Sequence, residues 1–305
     1  MPRRRTNFTG IVSIYAGAAV PIYQIGSRGS SWWGLEHAAP VVHAAAKAAE
    51  SQTPCVVVEA GAHQGTLAIL AAKLGCRTFA FEANEGHVER MRQNIVSNGV
   101  ETAVTVVPGF VDETPPSRRI DTHVAEYVHL LKMDIDGADE RAMRGASALF
   151  DAQRVGFINC EFNPSKQRHA QRQHSGGANY LHLLHRWGFE LFLYGCVPNA
   201  AAEAKLARLK RNLRCLTYGN YERKLPRNPY TEKPDASAFA RCLFGVTMRV
   251  NGSRYAPPAN CSALEAQQRL EPADFAAFAA AVREVDLVGR LMKRDGSAPA
   301  RVAAA

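Results

Sequence analysis

Short runs of β-branched and aromatic residues alternate with helix-patterned stretches between residues 55 and 195, and that alternation restricts the fold more than any other feature of the chain. "CVVVE" (55–59), "RTFAFEAN" (77–84), "AVTVVPGFVD" (103–112), "VHLLKMDID" (128–136), "VGFINCEF" (155–162) and "FELFLYG" (189–195) read as strands. "TLAILAAKLG" (66–75), "EGHVERMRQNIVSNG" (85–99), "ADERAMRGASALF" (138–150) and "YLHLLHRWG" (180–188) carry apolar residues at helical spacing. Strands joined by helical crossovers pair in parallel, and the helices then cover both faces of the sheet. The expectation is an α/β fold, a doubly wound, mostly parallel sheet. Ligands of such sheets sit beyond the carboxyl ends of the strands, so the residues that end each run are the first candidates for function.

The flanks are less regular. "GLEHAAPVVHAAAKAAES" (34–51) reads as an alanine-rich N-terminal helix disturbed by Pro40. Residues 196–239 form a basic insertion, and "ARCLFGVTMRV" (240–250) is expected to be the closing strand. "EPADFAAFAAAVREVDLVGRLMKRDG" (271–296) places Phe275, Phe278, Val282, Val285 and Val288 at helical spacing. It is expected to be a C-terminal amphipathic helix, used for core packing or as a homodimer seam. The expected organisation is an N-terminal cap segment (1–50), a ligand-binding domain (51–250) and a helical tail (251–305).

The net charge of +9 suits an acidic or phosphorylated partner, but basic surfaces also serve solubility, so nucleic acid is not expected as a partner. The seven cysteines form no CxxC pair, and no Cys/His cluster has zinc spacing. Cys160 lies inside an apolar run, and Cys55, Cys76 and Cys242 flank or begin others, as small buried thiols do in a reducing compartment. Cytoplasmic location is therefore the expectation. Ser13, Gly17 and Pro21 interrupt the apolar stretch after the basic start and leave a poor secretory signal. No run of about eighteen apolar residues is present, so no membrane span is expected.

The stretch "VVVEAGAHQG" (56–65) ends its strand on Glu59 and turns through Gly61 toward a helix that starts beyond Gly65. A dinucleotide loop would need glycines where His63 and Thr66 stand, so NAD and oxidoreductase chemistry fit badly. The spacing E-x-G-x-x-x-G suits a nucleoside that carries an amino acid rather than two phosphates, and S-adenosylmethionine is such a ligand. Glu82 ends the next strand, seventeen residues past Gly65, where a carboxylate reaches both ribose hydroxyls in nucleoside-binding folds. Asp112 ends the third run, where it can meet an adenine amino group or form a turn before Pro115.

"VVVEAGAHQG", "AFEAN", "NIVSNG" and "HLLKMDIDGADERAMRGA" together resemble the FkbM family of S-adenosylmethionine-dependent methyltransferases, over roughly residues 35–195. Members of that family carry a D-x-G-A-N-x-G loop, an F-E-P/A-x strand end and an L-K-I-D-x-E-G-A-E segment. The resemblance implies the Rossmann-like class I methyltransferase fold. It sets Glu59, Gly61, Ala62, His63 and Gly65 around the methionine part of the cofactor, Glu82 on its ribose, Asp112 near its adenine and Asp134 close to the reacting methyl group. His63 stands where the family has Asn, Asp136 where it has Glu, and residues 196–239 have no counterpart.

Methyl transfer to oxygen is an in-line displacement, in which the protein chiefly aligns donor and acceptor. A base within hydrogen-bond reach helps an alcohol lose its proton. Asp134 is the first candidate, with Glu161 at the neighbouring strand end and His169 in the following loop beside it; His174 lies in the same loop. Oxygen ligands at such strand ends can also hold Mg²⁺, although none is expected. The expected activity is O-methylation of a hydroxyl on a sugar, glycan or secondary metabolite. An anionic acceptor would suit Lys205, Arg208, Lys210, Arg211, Arg214, Arg223, Lys224 and Arg227 of the basic insertion, with Tyr218, Tyr221 and Tyr230 as stacking faces. The alternatives are an RNA or nucleobase methyltransferase and a non-catalytic cofactor-binding scaffold. The first of these lacks support at the fourth strand, which ends in "DIDG" rather than a [D/N]-P-P-aromatic motif.

Overall fold

The computed structural model describes residues 7–14, 19–25, 35–166, 177–196, 204, 206, 208–209, 236–245, 248–250, 253–282 and 285–292. Among them an eight-stranded sheet runs in the order β11-β8-β12-β7-β6-β3-β4-β5. Its parallel centre consists of β3 (Val56–Ala60), β4 (Arg77–Glu82), β5 (Val104–Pro108), β6 (Val128–Met133) and β7 (Val155–Phe162). β12 (Val285–Leu291) lies antiparallel between β7 and β8 (Phe189–Cys196), and β11 (Arg269–Leu270) closes the edge beside β8. β3 is the switch point: the chain leaves it toward β4 on one side, and β6 flanks it on the other.

The central strands read as unbroken apolar runs because both faces are covered. On one face α1 (Leu35–Ser51), α2 (Thr66–Lys73), α3 (Glu85–Asn98) and α7 (Ala236–Phe244) pack Val41, Leu70, Met91 and Leu243 against Val57 and Leu130. On the other, α4 (Asp139–Arg144), α5 (Ser147–Asp151), α6 (Ala178–Arg186) and α8 (Phe275–Ala281) pack Met143, Phe150, Leu184 and Phe278 against Val58 and Leu131. Each such side chain taken from water contributes about 1.5–3 kcal/mol. Local signals set the helix ends: Asn84 caps α3 by accepting the His87 N–H at 3.1 Å, and Gly99 ends it at φ +65°.

Three expectations are corrected. The C-terminal helix covers only Phe275–Ala281; Val282 turns extended at φ −99°, ψ 154°, and the rest of the expected helix is β12. The helical spacing of Phe275, Phe278 and Val282 runs on to Val285 and Val288 by coincidence, because a strand buried on both faces is apolar at every second and third position alike. Phe275, Phe278, Val285 and Val288 are core residues, which leaves the expected dimer seam without its apolar face. The closing strand is therefore β12 and not "ARCLFGVTMRV". The first part of that run lies in α7, where Phe239, Ala240, Leu243 and Phe244 share a buried helical face, and among its described residues only those of β9 (Met248–Val250) are extended. β9 joins β1 (Asn7–Ile14), β2 (Ala19–Ile25) and β10 (Ser253–Tyr255) in a second, antiparallel sheet in the order β10-β9-β1-β2, so the N-terminal segment is a hairpin before it is a helix.

The third correction concerns sulfur. Cys55 is disulfide-bonded to Cys76 and Cys242 to Cys261, while Cys160 is buried and belongs to neither pair. Parallel pairing of β3 with β4, seen in the Arg77 N–H bond to the Cys55 carbonyl at 2.8 Å, brings the first pair together across 21 residues of sequence. Disulfides persist where the surroundings oxidise, so the cysteine argument for a reducing compartment no longer holds. No described helix is long and apolar enough to cross a membrane. Within the basic insertion, Leu206 is buried and Leu209 packs on the core, while Arg208 is exposed. Lys205, Lys210, Arg211, Arg214, Tyr218, Tyr221, Arg223, Lys224, Arg227 and Tyr230 lie outside the described residues.

Candidate active site

The carboxyl ends of β3, β4, β5 and β6 open on one cavity of about 770 Å³, within the range of small-molecule sites. Glu59, Gly61, Ala62 and His63 line it from β3, Glu82 and Asn84 from β4, Phe110 and Val111 from β5, and Lys132, Asp134 and Asp136 from β6. The loop after β3 is fixed by backbone bonds before any ligand arrives. The Gly61 and Ala62 N–H groups both donate to the Phe81 carbonyl, at 3.0 and 2.9 Å. Gly61, at φ +82°, crosses β6 so closely that a Cβ there would overlap the Asp134 carbonyl oxygen. Gly65 serves packing rather than the cavity: at φ +80° it faces Met91 of α3, whose Cγ would be 2.7 Å from a Cβ. Thr66 takes its place in the cavity wall.

Glu82 ties the loop together. One of its oxygens accepts the His63 N–H at 2.7 Å and the other the Asn84 N–H at 2.8 Å. A carboxylate accepts about four bonds, so capacity remains on the cavity side. His63 sits at φ +50° with its ring 4.0 Å from that of His87; burial and then the neighbouring His87 hold its pKa below the usual imidazole range. Glu59 is 1% exposed and accepts the Ala68 N–H at 3.0 Å. Burial pushes its pKa up to about 8, against the pull of Lys132.

Asp134 follows β6. Burial opposes its ionisation, but Lys132, a hydrogen bond with Glu161 and the charge of Lys166 outweigh it and hold its carboxyl below the usual range. The Lys132 Nζ donates to Asp134 at 3.0 Å, and Lys166 bridges Asp136 and Glu161. The structure thus brings Asp134 and Glu161 together. It places Asp112 elsewhere: buried, paired with Arg141 through both oxygens, and not in the cavity wall, where Phe110 and Val111 stand instead. His169 and His174 lie outside the described residues. Among the described residues no group of three or more His, Cys, Asp or Glu side chains has the arrangement of a metal site.

Sequence reasoning missed Lys132 and Asp139. A lysine inside the apolar run "HLLKM" was the available signal for the first, since a charge buried in a strand needs a partner. Asp139, 1% exposed, accepts the Gly137 N–H at 3.0 Å and so braces the turn after Asp134; burial raises its pKa to about 7. Nothing in its own spacing distinguishes it from a helix-opening acid.

A sheet of parallel strands with one antiparallel strand slotted between the last two, and a cavity over the switch point, is the architecture of a class I methyltransferase. Residues 107–191, from β5 into β8, match the methyltransferase FkbM domain family. Fold and family match together are those of an S-adenosylmethionine-dependent methyltransferase. No curated protein matches the chain in sequence. Among solved structures it is similar to precorrin-6y C5,15-methyltransferase from Geobacter metallireducens, at 14% identity over 55% of this chain and 78% of that one, with a TM-score of 0.38. A second is an rRNA methylase from Streptococcus thermophilus, at 17% identity over 48% and 79%, TM-score 0.36. A third is an RNA methyltransferase from Salinibacter ruber in complex with S-adenosyl-L-homocysteine, at 19% identity over 35% and 63%, TM-score 0.25.

Proposed function

We propose that this chain methylates a hydroxyl group of a sugar, glycan or secondary metabolite, with S-adenosylmethionine held in the cavity over β3, β4 and β6. The observation that carries the reading is the set of three carboxyl groups, Glu59, Glu82 and Asp134, on three neighbouring strand ends around one cavity. Such a wall favours ribose hydroxyls and a cationic ligand and opposes a pyrophosphate, because Lys132, the one lysine or arginine among the described lining residues, is tied to Asp134. When bound, S-adenosylmethionine supplies a methyl group on a positively charged sulfur. Glu82 holds the ribose hydroxyls with its remaining acceptor capacity, and the Gly61–His63 loop and Glu59 frame the amino-acid end. Asp134, kept as a carboxylate at the cavity wall, aligns the acceptor hydroxyl and takes its proton. No metal has a part in this scheme.

Calorimetry with S-adenosylmethionine and NAD in parallel, followed by labelled-methyl transfer to a panel of alcohols, amines, carboxylates and RNA, tests the proposal. Heat with S-adenosylmethionine alone and label on an alcohol are expected. Binding of NAD only, or label confined to RNA, would reject it. Tight cofactor binding with no transfer to any of the panel would favour a binding scaffold.

A further inference from the structure

One row of the central sheet is polar and buried. Glu59 on β3, Lys132 on β6 and Asn159 on β7 stand in register across three parallel strands, each no more than 8% exposed. Residues in register on parallel strands project from the same face. One step toward the carboxyl ends, two residues beyond Lys132 and Asn159, come Asp134 and Glu161 on that same face. Lys132 thus stands between a fully buried acid and the carboxylate at the cavity wall, and it donates to the latter at 3.0 Å.

We infer that Lys132 is a positioning residue: anchored at a fixed depth by the sheet, its ammonium holds Asp134 in place as a carboxylate facing the acceptor. The inference rests on the role proposed above for Asp134. The charged and titratable groups facing Asp134 are Lys132, Glu161, Lys166, Glu59, Asp139 and His63. Lys132 exerts the largest pull toward the carboxylate, a hydrogen bond with Glu161 and the charge of Lys166 add to it, and Lys166 is itself divided between Asp136 and Glu161. Without Lys132 the largest pull toward the carboxylate is gone, and desolvation with the acids Glu59 and Asp139 shifts Asp134 toward the neutral carboxyl, which neither accepts the hydroxyl proton nor keeps its orientation.

The test uses Lys132→Met and Lys132→Gln, each alone and with Asp134→Asn, with pH profiles read in two ways. In turnover, wild type is expected to be nearly flat between pH 6 and 8.5, whereas Lys132→Met loses at least about tenfold at pH 6 relative to its own rate at pH 8.5. In the cofactor-free protein, loss of Lys132 is expected to raise the folded pKa of Asp134 above its unfolded value. Its stability contribution is therefore present at low pH and lost as pH rises. The melting-temperature gap from wild type should widen from pH 5 to pH 8 and close when Asp134→Asn is added; an added Glu59→Gln background separates any share due to Glu59. A gap that is constant with pH, or that survives Asp134→Asn, overturns the inference. If neither neutral variant melts cooperatively, the double variant decides: restored melting supports coupling through the pair, and a double variant that stays unfolded refutes it. Should Asp134→Asn alone turn over at the wild-type rate, the proposed role of Asp134 falls, while the melting data still report whether Lys132 holds it.

Discussion

Three glycines at nearly the same backbone angle make an internally controlled experiment. Gly61, Gly65 and Gly75 have φ of +82°, +80° and +85°, so alanine at any of them carries a similar left-handed strain of about 1–2 kcal/mol. Only their surroundings differ. A Cβ at Gly75 meets nothing within 4 Å. At Gly65 it meets the Met91 Cγ at 2.7 Å, the part of a flexible side chain that can move. At Gly61 it overlaps the Asp134 carbonyl oxygen and lies 2.8 Å from the carbonyl carbon and 3.1 Å from the Ile135 Cγ2, all on a strand end that has no room to yield. Relief requires β3 and β6 to part, with loss of the Asp134 N–H bond to Ala60 (3.0 Å). Overpacking of about 1–3 kcal/mol and a lost hydrogen bond of about 1 kcal/mol then add to the strain, for roughly 3–6 kcal/mol in all. At about 2–4 °C per kcal/mol, Gly61→Ala should melt about 10 °C below wild type, Gly65→Ala a few degrees below, and Gly75→Ala least. Because the displaced atom is the Asp134 backbone, Gly61→Ala should also lose S-adenosylmethionine binding in calorimetry while Gly75→Ala keeps it. Melting of Gly61→Ala within about 2 °C of Gly75→Ala would refute the close crossing as the reason for glycine.

Glu82→Gln should weaken S-adenosylmethionine binding more than about tenfold, since a carboxylate on two hydroxyls contributes about 1.5–3 kcal/mol; an unchanged Kd removes the ribose assignment. Asp134→Asn should lower turnover at least about a hundredfold with cofactor affinity nearly intact, and a loss seen only in affinity would move Asp134 to a binding role. The folded Glu59 carboxyl titrates near pH 8, above its unfolded value, so it contributes stability that is complete below about pH 4.5 and lost as pH rises toward 8. Glu59→Gln should therefore flatten the fall in melting temperature over that window, and parallel pH profiles of the two proteins would show that Glu59 does not titrate there. Reduction should lower the melting temperature by roughly 12–24 °C, because each of the two disulfides closes a loop of about 20 residues, worth about 3 kcal/mol. Mass spectrometry that finds Cys55, Cys76, Cys242 and Cys261 all alkylated without reductant would contradict the pairing.

β3 to β8 were legible because a strand covered on both faces is a bare apolar run, and the runs of β3, β4 and β6 ended in residues that now line the cavity. Glu59, Gly61, Ala62, His63, Glu82 and Asp134 share one cavity for that reason. β12 was not legible: a buried antiparallel strand that follows a helix directly carries the same residue types, and its partners lie about a hundred residues upstream. Asp112 misled for a local reason, since the end of a β run looks the same whether its side chain turns to the ligand or to Arg141. The disulfides were hidden because tertiary packing, not spacing along the chain, decides which cysteines meet: strand register for Cys55 and Cys76, helix contact for Cys242 and Cys261.

The position of β12 also sets a timetable for folding. Synthesis delivers β3 to β7 in an order that lets each strand pair soon after it appears, but β8 has no neighbour on the β7 side until residues 285–291 are made. At about 5–20 residues per second, the roughly 90 residues between β8 and β12 keep the apolar segment "FELFLYGC" waiting for about 4–18 s. During that interval both β7 and β8 present open edges, the condition under which strands of different chains pair with one another. Yield of folded protein should therefore depend on synthesis rate and on chaperones far more than the stability of the finished sheet would imply.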